Sequence, residues 1–231
     1  GHSTLTHVRA DPDAGGNRRT PIIMLPGMFS GRGFWLSDKG IGLAAYLASC
    51  GFDVWIVQRR GVGTHQRANR SAPREGLEEH LRFDLPLIQK HVYASNPNPA
   101  FWIGHSFGGV MAARAAAKHL DPAPIAGLVL FATQVEVGKA SLVPPGSWLT
   151  LAMTWLVGYC PAKKAGLGPL NETLAAMSDA AKLTTMARRN PAVLAPLKNI
   201  SAPVLALVGK GDTVDPSAGC RMFFERLGST D

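Results

Sequence analysis

Apolar runs of strand length alternate with helical patterns along most of this chain, and that alternation leaves few folds open. Residues 20–25 (TPIIML), 52–57 (FDVWIV), 100–103, 125–132 and 204–208 read as strands, each ended by a turn or loop. Helical spacing fills 40–50 and 107–120, and a helical stretch over 75–93 is expected to kink or restart at Pro86. Strand–helix alternation of this kind predicts an α/β protein, a mostly parallel sheet with helices on both faces. The first clear strand starts only near residue 20, after a fragmentary front end. Between 135 and 200 the alternation breaks, with Trp148, Leu149, Leu151, Met153, Trp155 and Leu156 followed by a helix over 171–189. The expected organisation is a core from residues 1–134 and 201–231, with 135–200 as an inserted helical cap.

Size and composition fit this layout. A chain of 231 residues can bury one large core. The most apolar stretch, 148–159, is too short to span a bilayer and contains Thr150 and Thr154. The net charge is +8, but its basic residues are scattered in pairs without aromatic interleaving, and no nucleic-acid motif accompanies them. A nucleic-acid partner is therefore not expected. Cys50, Cys160 and Cys220 are widely spaced and odd in number, which suggests neither a disulfide framework nor a metal site. The expectation is a reducing, cytoplasmic location with no metal or organic cofactor. A removed leader stays open, as does the oligomeric state.

The chemistry concentrates in residues 101–109, FWIGHSFGG. Gly104-His105-Ser106-Phe107-Gly108 fits Gly-x-Ser-x-Gly, follows a strand and opens a helix. A turn this tight tolerates only small neighbours, which Gly104, Gly108 and Gly109 supply. It lifts the Ser106 hydroxyl clear of the sheet at the positive end of a helix. Acyl transfer also needs two N–H donors where the carbonyl oxygen becomes negative. The backbone N–H of Phe107 is one candidate. The other is the N–H of Met28, in the turn Leu25-Pro26-Gly27-Met28 after an earlier strand, although Pro26-Gly27 also suits an ordinary strand-ending turn.

A supporting acid is expected after a later strand. Residues 202–215 read APVLALVGKGDTVD, which makes Asp212 the first candidate, Asp215 its competitor and Glu136 a third. Serine needs a histidine to take its proton, yet none follows Asp212. His105 lies within the elbow, its side chain directed away from the hydroxyl. His65 follows the turn 60–63, while His2, His7, His80, His91 and His119 read as surface or helix residues. The expectation is that the base histidine lies beyond Asp231 and that a last strand is missing from the chain shown.

These residues resemble the α/β-hydrolase superfamily in its serine esterase and lipase branch. The matching pieces are residues 21–27, 104–109 and 204–212, in the family's order. Phe52-Asp53-Val54-Trp55 and Phe83-Asp84-Leu85-Pro86 are similar to the acid-lipase group. Many relatives carry His-Gly where this chain has Pro26-Gly27, a change that a backbone donor survives. The resemblance implies an α/β-hydrolase fold with Ser106 as nucleophile, and 135–200 as a cap over the site. Phe29, His105, Trp148 and Trp155 are then candidate substrate-binding residues, although the tryptophans equally suit the cap's own core.

The function expected is hydrolysis of carboxylic esters with an apolar acyl or alcohol part through an acyl-enzyme. The substrate would be a small ester or lipid-like molecule. Thioester, amide or carbon–carbon cleavage would use the same groups. A non-catalytic binding protein of the same fold is the alternative from another class.

Overall fold

The computed structural model describes residues 2–13, 20–65 and 73–229. Strand β1 (Thr4–Val8) is the antiparallel edge of a six-stranded sheet, paired with β3 (Asp53–Gln58). β2 (Pro21–Leu25), buried at every residue, lies between β3 and β4 (Ala100–His105). β5 (Ile125–Phe131) and β6 (Val204–Leu207) complete the order β1-β3-β2-β4-β5-β6, all parallel from β3 onwards. Strands covered on both faces bury successive residues, which is why β2 reads as an unbroken apolar run.

Alternate residues sort onto the two faces. Ile23, Leu25, Trp55, Val57, Trp102 and Leu128 enter the larger core. Ile22, Met24, Val54, Ile56 and Ile103 enter the smaller one with Trp35, Ala44 and Ala48. Helix α1 (Leu43–Ser49) covers this smaller core. It begins later than the sequence pattern suggests because Gly40 and Gly42 adopt φ of 72° and 153°. Such angles lie outside the right-handed helical region.

The stretch expected to kink or restart at Pro86 restarts there, after a widened turn. Helix α2 (Leu77–Glu79) runs into a π-helical turn at His80–Asp84, and α3 (Leu85–Ser95) then carries Pro86 in its first turn. The Leu85 amide reaches back to the His80 carbonyl. The wider spacing accommodates a ring that lacks an N–H and would crowd a regular turn.

Helix α4 (Phe107–Lys118) leaves β4 directly. Between β5 and β6 lie a 3-10 turn at Ala140–Leu142, α5 (Gly146–Val157), α6 (Leu174–Arg189) and a 3-10 stretch at Pro191–Asn199. Thr173 caps α6, its hydroxyl accepting the Ala176 amide at 3.0 Å. Helix α7 (Ser217–Phe224) follows β6. Among the described residues, no helix is long and apolar enough to cross a membrane.

Candidate active site

The junction of β4 and α4 holds the one serine with positive φ among the described residues. Ser106 adopts φ 50° and ψ −123°, a conformation that non-glycine residues rarely take. Its neighbours have no room to grow. A Cβ on Gly104 would lie 2.5 Å from the Gly109 nitrogen, and one on Gly108 would lie 2.5 Å from the Pro26 carbonyl oxygen. The Ser106 amide donates to the Phe131 carbonyl at 2.9 Å, which ties the turn to β5. Strain of this kind persists where surrounding contacts hold it, and it turns the side chain out of the strand–helix pathway.

The turn after β2 runs against that serine. A Cβ on Gly27 would lie 3.3 Å from the Ser106 Cβ and 3.0 Å from the His105 Nδ1. Met28 and Phe29 follow, both half-buried, and Phe29 has φ 61°. Residues from between β5 and β6 secure this turn. The Phe29 amide donates to Glu172 Oε1 at 3.0 Å, and its carbonyl accepts from the Leu170 amide at 2.9 Å. Arg59 donates to both oxygens of the fully buried Glu172, at 2.5 and 3.1 Å. The Phe107 amide stands in the first turn of α4, where helix geometry leaves it without an intrahelical acceptor.

The sequence offered no reason to single out Glu172. Arg59 and Glu172 are 113 residues apart, and only the closed chain brings them together. Behind the turn lies a small cavity of about 20 Å³, lined by Met28, Ser30, Arg59, His80, Phe107 and Met111 among others. It has room for about one water molecule.

Three acidic candidates separate clearly. Asp212 is half-buried in the turn after β6, and its Oδ1 accepts the amides of Val214 and Asp215 at 2.9 and 2.8 Å. Asp215 is buried, and its Oδ1 accepts from Lys139 Nζ at 2.6 Å and Gln134 Nε2 at 2.9 Å. Glu136 is held by Arg226 through bonds of 3.0 and 2.6 Å.

The histidines are engaged elsewhere. Among the described residues, the Ser106 hydroxyl makes no hydrogen bond to an imidazole. His105 stacks on Phe34 with ring centroids 4.2 Å apart, and its buried Nδ1 has no hydrogen-bond partner. Burial pushes its pKa down, against the attraction of Asp215 and Asp212. His65 Nδ1 lies 3.1 Å from Asn171 Nδ2, and His7 stacks on Trp55. His80 is not a surface residue: it is buried on the π-helical turn, its Nδ1 3.0 Å from Asp84 Oδ2. Trp148 and Trp155 belong to no core. Both are exposed on α5.

A mostly parallel sheet with its strained serine between β4 and α4 defines an α/β-hydrolase fold. The chain belongs to the serine aminopeptidase S33 family, whose model matches residues 35–198. Triacylglycerol lipase 2 of Arabidopsis thaliana is 26% identical over 163 residues, or 67% of this chain. The chain spans only 36% of that relative's length. A soluble variant of monoglyceride lipase from Saccharomyces cerevisiae, solved with a substrate analogue, superposes with a TM-score of 0.72 at 17% identity. That match covers 99% of this chain and 80% of the other. Monoacylglycerol lipase from Paleococcus ferrophilus gives 0.62 at 19% identity, covering 100% and 86%. At these identities the structural likeness concerns the fold.

Proposed function

We propose that the protein is a serine hydrolase that cleaves carboxylic esters with an apolar acyl or alcohol part. Ser106 Oγ attacks the ester carbonyl while a histidine takes its proton. The amides of Met28 and Phe107 stabilise the oxyanion. The imidazolium then protonates the departing alkoxide, leaving an acyl group on Ser106. Water, deprotonated by the same imidazole, hydrolyses that acyl-enzyme and regenerates the serine. Asp212 orients the imidazole through its second carboxylate oxygen, because Oδ1 already accepts two amides.

The proposal takes the histidine from chain beyond Asp231. An apolar groove of about 790 Å³ between β6 and α7, lined by Leu205, Val208 and Phe224 among others, supports a further strand there. Residues 135–200 act as the cap. The carrying observation is the strained, positive-φ conformation of Ser106 with the Gly27 turn packed against its Cβ.

The test is fluorophosphonate labelling of the full-length polypeptide, followed by a panel of aryl esters, thioesters and amino-acid anilides. Labelling that disappears in Ser106→Ala, with ester turnover foremost in the panel, supports the reading. Absent labelling favours a non-catalytic binding protein. Preferential anilide cleavage would favour the peptide chemistry in the family's description.

A further inference from the structure

Helix α5 has its polarity reversed. Its two buried side chains are Ser147 and Thr154, and the Thr154 hydroxyl donates to the Thr150 carbonyl at 2.7 Å. Leu151 alone among its large apolar residues packs inward against the main core. Every exposed residue of the helix is apolar. Trp148 is 67% exposed, Leu149 69% and Met153 53%, with Leu156 and Val157 continuing the same face. A globular protein seldom leaves a contiguous apolar face of this size in water without an interaction that covers it.

Charge narrows the choice of partner. From residue 137 to 171 the chain contains no aspartate or glutamate, whereas Lys163 and Lys164 stand exposed in the turns after α5. The whole protein carries a net charge of +8. A docking site for another protein usually surrounds its apolar centre with a polar rim of both signs. Here the helix has no charged residue, and the nearby exposed charges in its own segment are positive. Tryptophan favours the boundary between headgroups and acyl chains. At 12 residues the helix is far short of the ~20 needed to span a bilayer, so it can only lie along one.

We propose that this face docks the protein onto an anionic phospholipid surface. Helix α5 lies in the headgroup plane, Trp148, Leu149 and Met153 enter the acyl boundary, and Lys163 and Lys164 meet the lipid phosphates and carboxylates. The proposal is independent of the chemistry at Ser106.

Flotation of the full chain with phosphatidylcholine vesicles, with and without phosphatidylserine, tests it. The expected result is flotation with the serine lipid, weaker flotation without it and release by salt. Trp148→Ser with Leu149→Ser should lower partitioning roughly tenfold or more, because both side chains leave the lipid boundary. Lys163→Glu with Lys164→Glu should abolish the preference for phosphatidylserine while retaining circular dichroism. Ser106→Ala should float like the parent, so hydrolysis and docking can fail separately. Absent flotation, or flotation indifferent to the Trp148/Leu149 change, would overturn the proposal. So would a dimer in sedimentation that the same change dissociates, since a second copy would then be the occupant.

Discussion

Glu172 and Phe29 are 143 residues apart in the chain, yet the Glu172 carboxylate accepts the Phe29 amide at 3.0 Å. Arg59 grips both oxygens of that carboxylate, and Leu170 binds the Phe29 carbonyl. The left-handed turn at Phe29 is thus pinned on both backbone groups by the segment between β5 and β6. Met28, the proposed oxyanion donor, immediately precedes the pinned residue. Pinning Phe29 limits how far the Met28 amide can wander, so the buried ion pair bears on the geometry of the proposed site as well as on folding.

Removing one partner of this pair should be costly. Glu172→Ala leaves the Arg59 guanidinium, itself largely buried, without its counter-charge, and stability should fall by about 3–5 kcal/mol. Arg59→Met combined with Glu172→Gln removes both charges, so the double variant should recover part of that loss. Urea titration of the two variants beside the parent measures the recovery. In ester turnover the double variant should lose kcat more than KM, because the turn is loosened while the substrate's apolar contacts remain.

The turn at Ser106 makes a sharper steric prediction. Gly108→Ala drives a methyl group into the Leu25 and Pro26 carbonyl oxygens, which are backbone atoms and cannot swing aside. Overpacking of this sort costs about 1–3 kcal/mol. Gly33→Ala is the control, since a Cβ there meets nothing within 4 Å. Thermal melts should separate the two substitutions, with Gly33→Ala close to the parent.

How legible these features were depended on whether their cause was local. β2 to β5 could be read because strands covered on both faces are largely apolar runs, β6 because its residues are apolar although Leu205 and Leu207 are exposed at the sheet edge, and the turn at Ser106 because its small neighbours are adjacent in sequence. β1 escaped because an edge strand with no fully buried residue, and with Thr4 and His7 exposed, resembles a polar lead-in. The start of α1 depended on two glycine conformations rather than on the apolar pattern. Glu172, Arg59 and Lys139 carried no signal at all, since their partners lie tens of residues away. The choice between Asp212 and Asp215 likewise waited on hydrogen bonds that only the folded turn displays.

That choice yields a paired experiment. Asp212→Asn keeps an acceptor oxygen for the Val214 and Asp215 amides, so the fold should survive while kcat falls by about 10⁴-fold. Asp215→Asn leaves the buried Lys139 ammonium without its counter-ion, and should cost about 3–5 kcal/mol of stability instead. The two readouts, kinetics and denaturant midpoint, should move in opposite order for the two variants. A stable Asp215→Asn protein with collapsed turnover would transfer the triad role to Asp215.

Acid should weaken the fold through His80 and Asp84. Burial disfavours the imidazolium of His80 and lowers its pKa from the usual 6.5, although its hydrogen bond to Asp84 pulls the other way. As pH falls below about 6.5, the unfolded chain therefore takes up a proton that the folded chain resists, and stability declines with pH. Asp84 adds a second step of the same sign. Burial opposes its ionisation, but hydrogen bonds from His80, Arg60 and Ser3 outweigh that and hold the carboxyl below the usual carboxylate range. Its contribution is present above the unfolded value of 3.8 and is lost as pH falls towards the depressed folded one. Urea midpoints should accordingly drop between about pH 7 and pH 5, before any carboxylate of ordinary pKa is protonated. In His80→Gln the amide can still donate to Asp84, and that imidazole's uptake is gone, so the decline over that interval should be shallower, the remaining slope coming from His105 and His119, whose pKa values burial also lowers. A variant whose midpoint still declines from pH 7 to pH 5 as steeply as the parent's would show that another group controls the acid response.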